Sequence, residues 1–120
     1  MSVKTYDISF PKMDYIKISL SIKKNEENIK LNDSDLIFFT VRDKVYSEKV
    51  ILQKALKNGI QYNQSTSKYE ITIESLDTAK MDMNKKYGYD ITVYFDGNKP
   101  KQQIIGDLIL SKKYTLNEVI

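Results

Sequence analysis

The 120 residues include no cysteine and no histidine. Without thiols there is no disulfide, no thiolate zinc site and no cysteine nucleophile. Without imidazole the commonest general base and metal ligand is gone, and a Ser-His-Asp triad cannot be built. The four glycines stand alone at 59, 88, 97 and 106, so no glycine-rich loop cradles a phosphate. Arg42 is the one arginine, although arginine is favoured for bidentate phosphate and base contacts. No apolar run approaches the roughly 18 residues of a membrane span. The start, MSVKTYDISF, lacks the basic and apolar regions of a signal peptide, so export is not expected. These absences predict a non-catalytic domain with no cofactor, no metal and neither membrane nor nucleic acid as partner.

What is present points to one β-rich unit. With 41% hydrophobic and 29% charged residues and a net charge of +3, the chain can bury a core of its own. Isoleucine and valine number 21 against two alanines, and nine tyrosines and seven threonines add to them. Stiff β-branched and aromatic side chains suit a pleated surface, whereas a helical domain carries more alanine.

Periodicity agrees. Ile16, Ile18, Leu20 and Ile22 alternate with Tyr15, Lys17, Ser19 and Ser21, a period of two that predicts a strand. Lys23 to Asn28 reads as an exposed turn, with Ile29 and Leu31 in a short returning strand. Leu36 to Arg42 is apolar on both faces, as in a central strand covered on two sides. Tyr69, Ile71 and Ile73 alternate with polar residues, and Tyr87, Tyr89, Ile91, Val93 and Phe95 share one face. Asp96 to Pro100 supplies turn residues for a hairpin, and the last strand runs from Gln102 to Leu110 with Gly106 marking a bulge. Ser47 to Gly59 fits two patterns. A helix would have Ser47 as N-cap and Asn58-Gly59 as its end; a strand would place Val50, Leu52 and Leu56 inward.

The spacing predicts seven or eight short antiparallel strands, the pattern of an all-β, immunoglobulin-like β-sandwich. Residues 1–115 form the single domain and 116–120 a tail.

Several constellations bear on chemistry. Asn32, Asp33 and Asp35 could line a calcium loop but lack the glycine and bidentate glutamate of an EF-hand, so turn formation explains them better. The pairs Lys23-Lys24, Lys85-Lys86 and Lys112-Lys113 could meet phosphate, yet acidic residues accompany most lysine clusters; guarding and solubilising a sheet surface is the better account. Asp77-Thr78 precedes Tyr87-Gly88-Tyr89 at a strand opening. In immunoglobulin-like sandwiches a tyrosine there returns its hydroxyl to upstream backbone. Tyr87 takes that role, with Asp77 before the corner and Tyr89 inward, or the two tyrosines are ordinary core residues.

These pieces resemble a known group. Phe38 to Val41, Ile51-Leu52-Gln53-Lys54 with Asn58-Gly59-Ile60, Tyr69 to Ile73, Asp77-Thr78, Tyr87-Gly88-Tyr89-Asp90-Ile91 and Ile104 to Leu110 are similar, in order, to the small immunoglobulin-like virion proteins of tailed phages and prophages of Gram-positive bacteria. The N-terminal domain of the baseplate upper protein family is the nearest named relative, over about Tyr6 to Thr115. The resemblance implies that Glu48 to Leu56 is a strand. It also implies a non-catalytic structural protein, made in the host cytoplasm and resident in the virion, whose partners are capsid, tail or baseplate subunits in a symmetric assembly. Baseplate upper proteins continue into helical and docking regions, while this sequence stops at Ile120, so decoration of the capsid or lining of a junction is expected rather than a full baseplate arm. The physical route is strand addition at a sheet edge plus burial of outward apolar groups, for which Tyr15, Tyr94 and the Ile37/Phe39/Val41 face are candidates. A carbohydrate- or host-surface-binding module is the alternative; nine tyrosines favour it and the absence of tryptophan weighs against it.

Overall fold

The computed structural model describes residues 2–44, 47–96 and 99–112. Its strands are β1 (Ser2–Thr5), β2 (Ile8–Pro11), β3 (Ile16–Leu20), β4 (Lys23–Lys24), β5 (Glu27–Asn28), β6 (Leu36–Arg42), β7 (Val50–Leu56), β8 (Gly59–Asn63), β9 (Lys68–Ile73), β10 (Lys86–Phe95) and β11 (Lys99–Ser111). The 3-10 turn Ser75–Thr78 is the helical element among the described residues. The chain is therefore all-β, as its composition predicts. The expected tail and its boundary at Thr115, like the Gly97-Asn98 tip of the expected hairpin, lie outside the described residues.

One sheet carries nearly everything, in the order β1-β11-β10-β6-β7-β8-β9-β3, with β2 also on β11. It is mixed rather than wholly antiparallel: β1 and β2 both run parallel to β11, and β7 touches β8 in parallel at Ala55 and Leu56. The chain turns between β7 and β8 with Lys57 at φ 67° and Gly59 at φ 95°, and the sheet curls there. A small hairpin, β4–β5, stands apart; Asn25 and Glu26, both at positive φ, give it the type I′ turn whose twist suits adjacent strands. Ile29 and Leu31, expected in a returning strand, lie beyond β5; the strand ends at Asn28, and the Leu31 N–H turns inward to the Tyr69 hydroxyl at 2.7 Å.

The segment that fits helix and strand equally is a strand from Val50. Across from it Phe38, Thr40 and Val41 pair with Ala55, Gln53 and Leu52, and the register shifts at Ile51 before Arg42 meets Val50, so the segment is held by a ladder that a helix could not supply. Alternation then builds the core. Ile37, Phe39 and Val41 of β6, Tyr69, Ile71 and Ile73 of β9, and Tyr87, Tyr89, Ile91 and Val93 of β10 are all at most 5% exposed.

Gly106 does not mark a bulge. It pairs in regular register with Tyr89, and the irregularity lies between Val93 and Tyr94. Its role is close approach: a Cβ there would sit 2.0 Å from the Tyr6 carbonyl oxygen. Tyr6 and Asp7 are the joint between β1 and β2, and their backbone presses into the space that glycine leaves open. The Tyr6 N–H donates to the Ile105 carbonyl at 2.9 Å and the Asp107 N–H to Asp7 Oδ1 at 2.9 Å, fixing the joint on β11. Gly106→Ala should therefore cost on the order of 3 kcal/mol, because backbone rather than a flexible side chain must yield. Urea denaturation checks this.

Candidate functional site

The crossover from β9 to β10 holds Asp77, Thr78 and, at its end, Tyr87. Asp77 accepts the Glu74 N–H at 2.7 Å, capping the 3-10 turn, and receives Lys54 Nζ at 2.8 Å. The lysine reaches over from β7, so this ion pair ties the crossover to the neighbouring strand. Thr78 is buried and its hydroxyl accepts the Met13 N–H at 2.8 Å. Five residues before β10's first tyrosine, the Asp82 N–H donates to the Tyr87 hydroxyl at 2.6 Å, while Lys85 Nζ lies 4.9 Å above the Tyr87 ring.

Tyr89 faces the same way as Tyr87 but serves another segment. Its hydroxyl donates to the Tyr6 carbonyl, the one that Gly106 admits. Burial, with the Asp7 carboxylate nearby, pushes the Tyr89 hydroxyl up to about 12. Burial also raises Tyr69, whose hydroxyl receives the Leu31 N–H. The structure thus brings Asp77 and Tyr87 together along one crossover and assigns Tyr89 to the N-terminal joint. The sequence signal for that second role is the pairing of an inward tyrosine with a glycine on the next strand.

The expected interface residues divide. Tyr15 is 58% exposed. Phe39 is fully buried, and so are Ile37 and Val41, so that face of β6 is core and cannot be an interface. Because β6 is apolar on both sides, alternation could not say which side points in. Its outward residues are Leu36, Phe38, Thr40 and Arg42. Tyr94 lies on this outer face, half-buried, edge-on to Phe38 at 6.1 Å and 76°.

The rest of the outer face is a polar ladder. Gln53 donates to Thr40 at 3.1 Å; Gln103 donates to Thr92 at 3.2 Å, and Thr92 to Asp90 at 3.1 Å. Arg42 joins Asp90 at 3.4 Å and the Ser47 carbonyl at 3.0 Å. Thr40 and Thr92 are buried beneath their neighbours, with their hydroxyls satisfied.

The carboxylates are similarly committed. Asp35 is buried and accepts the Asn32 and Asp96 N–H groups at 2.8 and 3.0 Å, one on each oxygen, which leaves it a loop fastener rather than a cation ligand. Asp33 is exposed. Lys85 pairs with Asp43 at 2.6 Å, and this contact raises the lysine and lowers the carboxyl. Among the described residues no group of three or more acidic, histidine or cysteine side chains is placed to hold a metal ion.

A cleft of about 350 Å3 opens where the two ends of the curled sheet approach. It is lined by the apolar Ile22, Ile91, Val93 and Ile104, together with Leu20 of β3 and Lys4 of β1. A shallower hollow holds Tyr15 beside Lys57, Gln61, Thr72 and Glu74 on the outer face of β9. Comparison of the chain with protein-family models, curated proteins and solved structures finds no match.

Tyr89→Phe leaves the Tyr6 carbonyl without its donor and should cost about 1–3 kcal/mol. The pH dependence has a definite sign. Folding holds the hydroxyl protonated, so its contribution is complete below about pH 10 and is lost as pH rises through 12. The urea midpoint should fall less between pH 8 and pH 11.5 in Tyr89→Phe than in the wild type, with Tyr69 and Lys85, both also raised, contributing to the slope that remains.

Proposed function

We propose that this protein is a non-catalytic structural subunit of a phage or prophage-derived particle, an immunoglobulin-like sandwich that binds other virion subunits at the tail and baseplate or on the capsid. The reading rests on the resemblance in strand order and motifs, and the geometry lends it support. In this reading the β6–β10–β11 region and the β3–β9–β8 region are the two facing layers. Tyr87 is the corner tyrosine, its hydroxyl bound to backbone five residues upstream.

The observation that carries the scaffold reading is how the polar groups are spent. Asp35, Asp77, Asp90, Tyr69, Tyr87 and Tyr89 each hold a backbone group or a neighbouring side chain of the same domain. Every buried side-chain nitrogen and oxygen among the described residues has a partner. Such a framework stiffens a shape, and a stiff shape with open sheet ends suits assembly.

The second reading, a carbohydrate- or host-surface-binding module, is favoured by one feature. Tyr15 projects from a shallow polar hollow with Gln61, Thr72 and Glu74, an exposed ring among hydrogen-bonding groups.

Size-exclusion chromatography with light scattering separates the two. The virion reading predicts co-elution with purified capsid, portal or baseplate subunits at tens of micromolar. A monomer that joins none of them, yet gives a glycan-array signal lost in Tyr15→Ala, would establish the alternative.

A further inference from the structure

β1 and β3 are the two ends of the sheet order, and both border the cleft described above. Among the described residues β1 pairs with β11 alone and β3 with β9 alone. Each therefore presents one unpaired backbone edge, and Lys4 of β1 and Leu20 of β3 line the same slot. Coverage of the inward side chains falls off in step. Tyr69, Ile71 and Ile73 in β9 and Ile91 and Val93 in β10 are buried. Toward the ends, Ile16, Ile18 and Leu20 in β3, Ile8 in β2 and Ile104 in β11 pack on the core but stay partly uncovered. At one end of the slot the Gln102 side-chain amide donates to the Lys23 carbonyl at 2.8 Å, linking β11 to the β4–β5 hairpin.

We propose that the slot between β1 and β3 receives one extended segment of a partner protein, which closes the sheet by pairing with both edges. The occupant's chemistry follows from the banks. Its inward side chains are small and apolar to cover Leu20 and Ile104. One is acidic, because Lys4 pairs with Ile104, shares its face and lines the slot as an exposed cation. A charge pointing inward from an edge strand deters indiscriminate pairing. Here the same charge selects the strand that carries its complement. This inference rests on the reading of the domain as an assembly subunit and names the site and the kind of segment through which it binds.

The test uses the full chain, labelled with 15N, and two peptides with blocked ends, TVTETVTVT and TVTKTVTVT, which differ in the inward residue that would face Lys4. The expected result is saturable shifts of β1 and β3 amides below about 1 mM of the glutamate peptide, with affinity about tenfold weaker for the lysine peptide. The β3 amides that do not bond β9 should gain hydrogen-exchange protection. Lys4→Glu, an exposed site whose fold is checked by thermal melting, should invert the preference, and Leu20→Asp should abolish binding. Absence of shifts up to that concentration, shifts elsewhere, or equal affinity for both peptides would overturn the proposal. So would β3 edge amides that are already protected in proportion to protein concentration, since a second copy would then fill the slot. Failure with peptides alongside co-elution with virion subunits refutes the slot and leaves the assembly reading standing; peptide binding without any virion partner does the reverse.

Discussion

The carbonyl of Tyr6 sits against the bare α-carbon of Gly106 and receives the hydroxyl of Tyr89. Three distant parts of the chain meet at this one oxygen. The hydroxyl comes from the middle of β10, the space from the middle of β11, and the acceptor from the joint that divides the first strand into β1 and β2. Because the joint is held, both halves lie parallel along β11, and Phe10 and Ile8 cover the inner face at Leu110 and Leu108. Releasing it would uncover that end of the core. Other tyrosine hydroxyls repeat the device at smaller scale: Tyr69 holds the Leu31 loop and Tyr87 the Asp82 turn. In a domain without disulfides, the phenol-to-backbone bonds of Tyr89 and Tyr69 join the carboxylates of Asp7 and Asp35 as long-range fasteners, and burial makes them costly to break.

Much of this was legible locally. The alternation in β3, β9 and β10 identifies strands and their inner faces because each element has one polar side. It failed in β6, where both sides are apolar and only the finished sheet decides that Phe39 is core and Phe38 is not. It failed again at Ser47 to Gly59, whose local pattern satisfies helix and strand alike; pairing with β6 settled the matter, and pairing is not a local property. The N-terminal strands went unread although Ile8 and Phe10 alternate with polar neighbours, since the run is short and broken at Tyr6 and Asp7. Gly106 was legible as special, but a bulge and a close approach leave the same mark in a sequence.

The site was less legible than the fold. Asp77 and Tyr87 lie close along the chain, and their association in one crossover could be anticipated. The pairing of Tyr89 with Tyr6 spans 83 positions. The meeting of β1 and β3 at one slot depends on how far the sheet curls, which no residue pattern encodes. The outer-face ladder of Gln53, Thr40, Gln103, Thr92 and Asp90 likewise needs the register of four strands before its members become neighbours.

The held N-terminal joint also fixes one side of the slot: β1 is an edge strand kept in place by its pairing with β11 and by the Tyr6 anchor. Native-state hydrogen exchange at the Tyr6 and Asp107 amides tests the anchor most directly. The account predicts that both exchange only when the whole domain unfolds, with the same free energy as the central amides of β10. Exchange of these two on the timescale of frayed strand ends, while β10 stays protected, would contradict it.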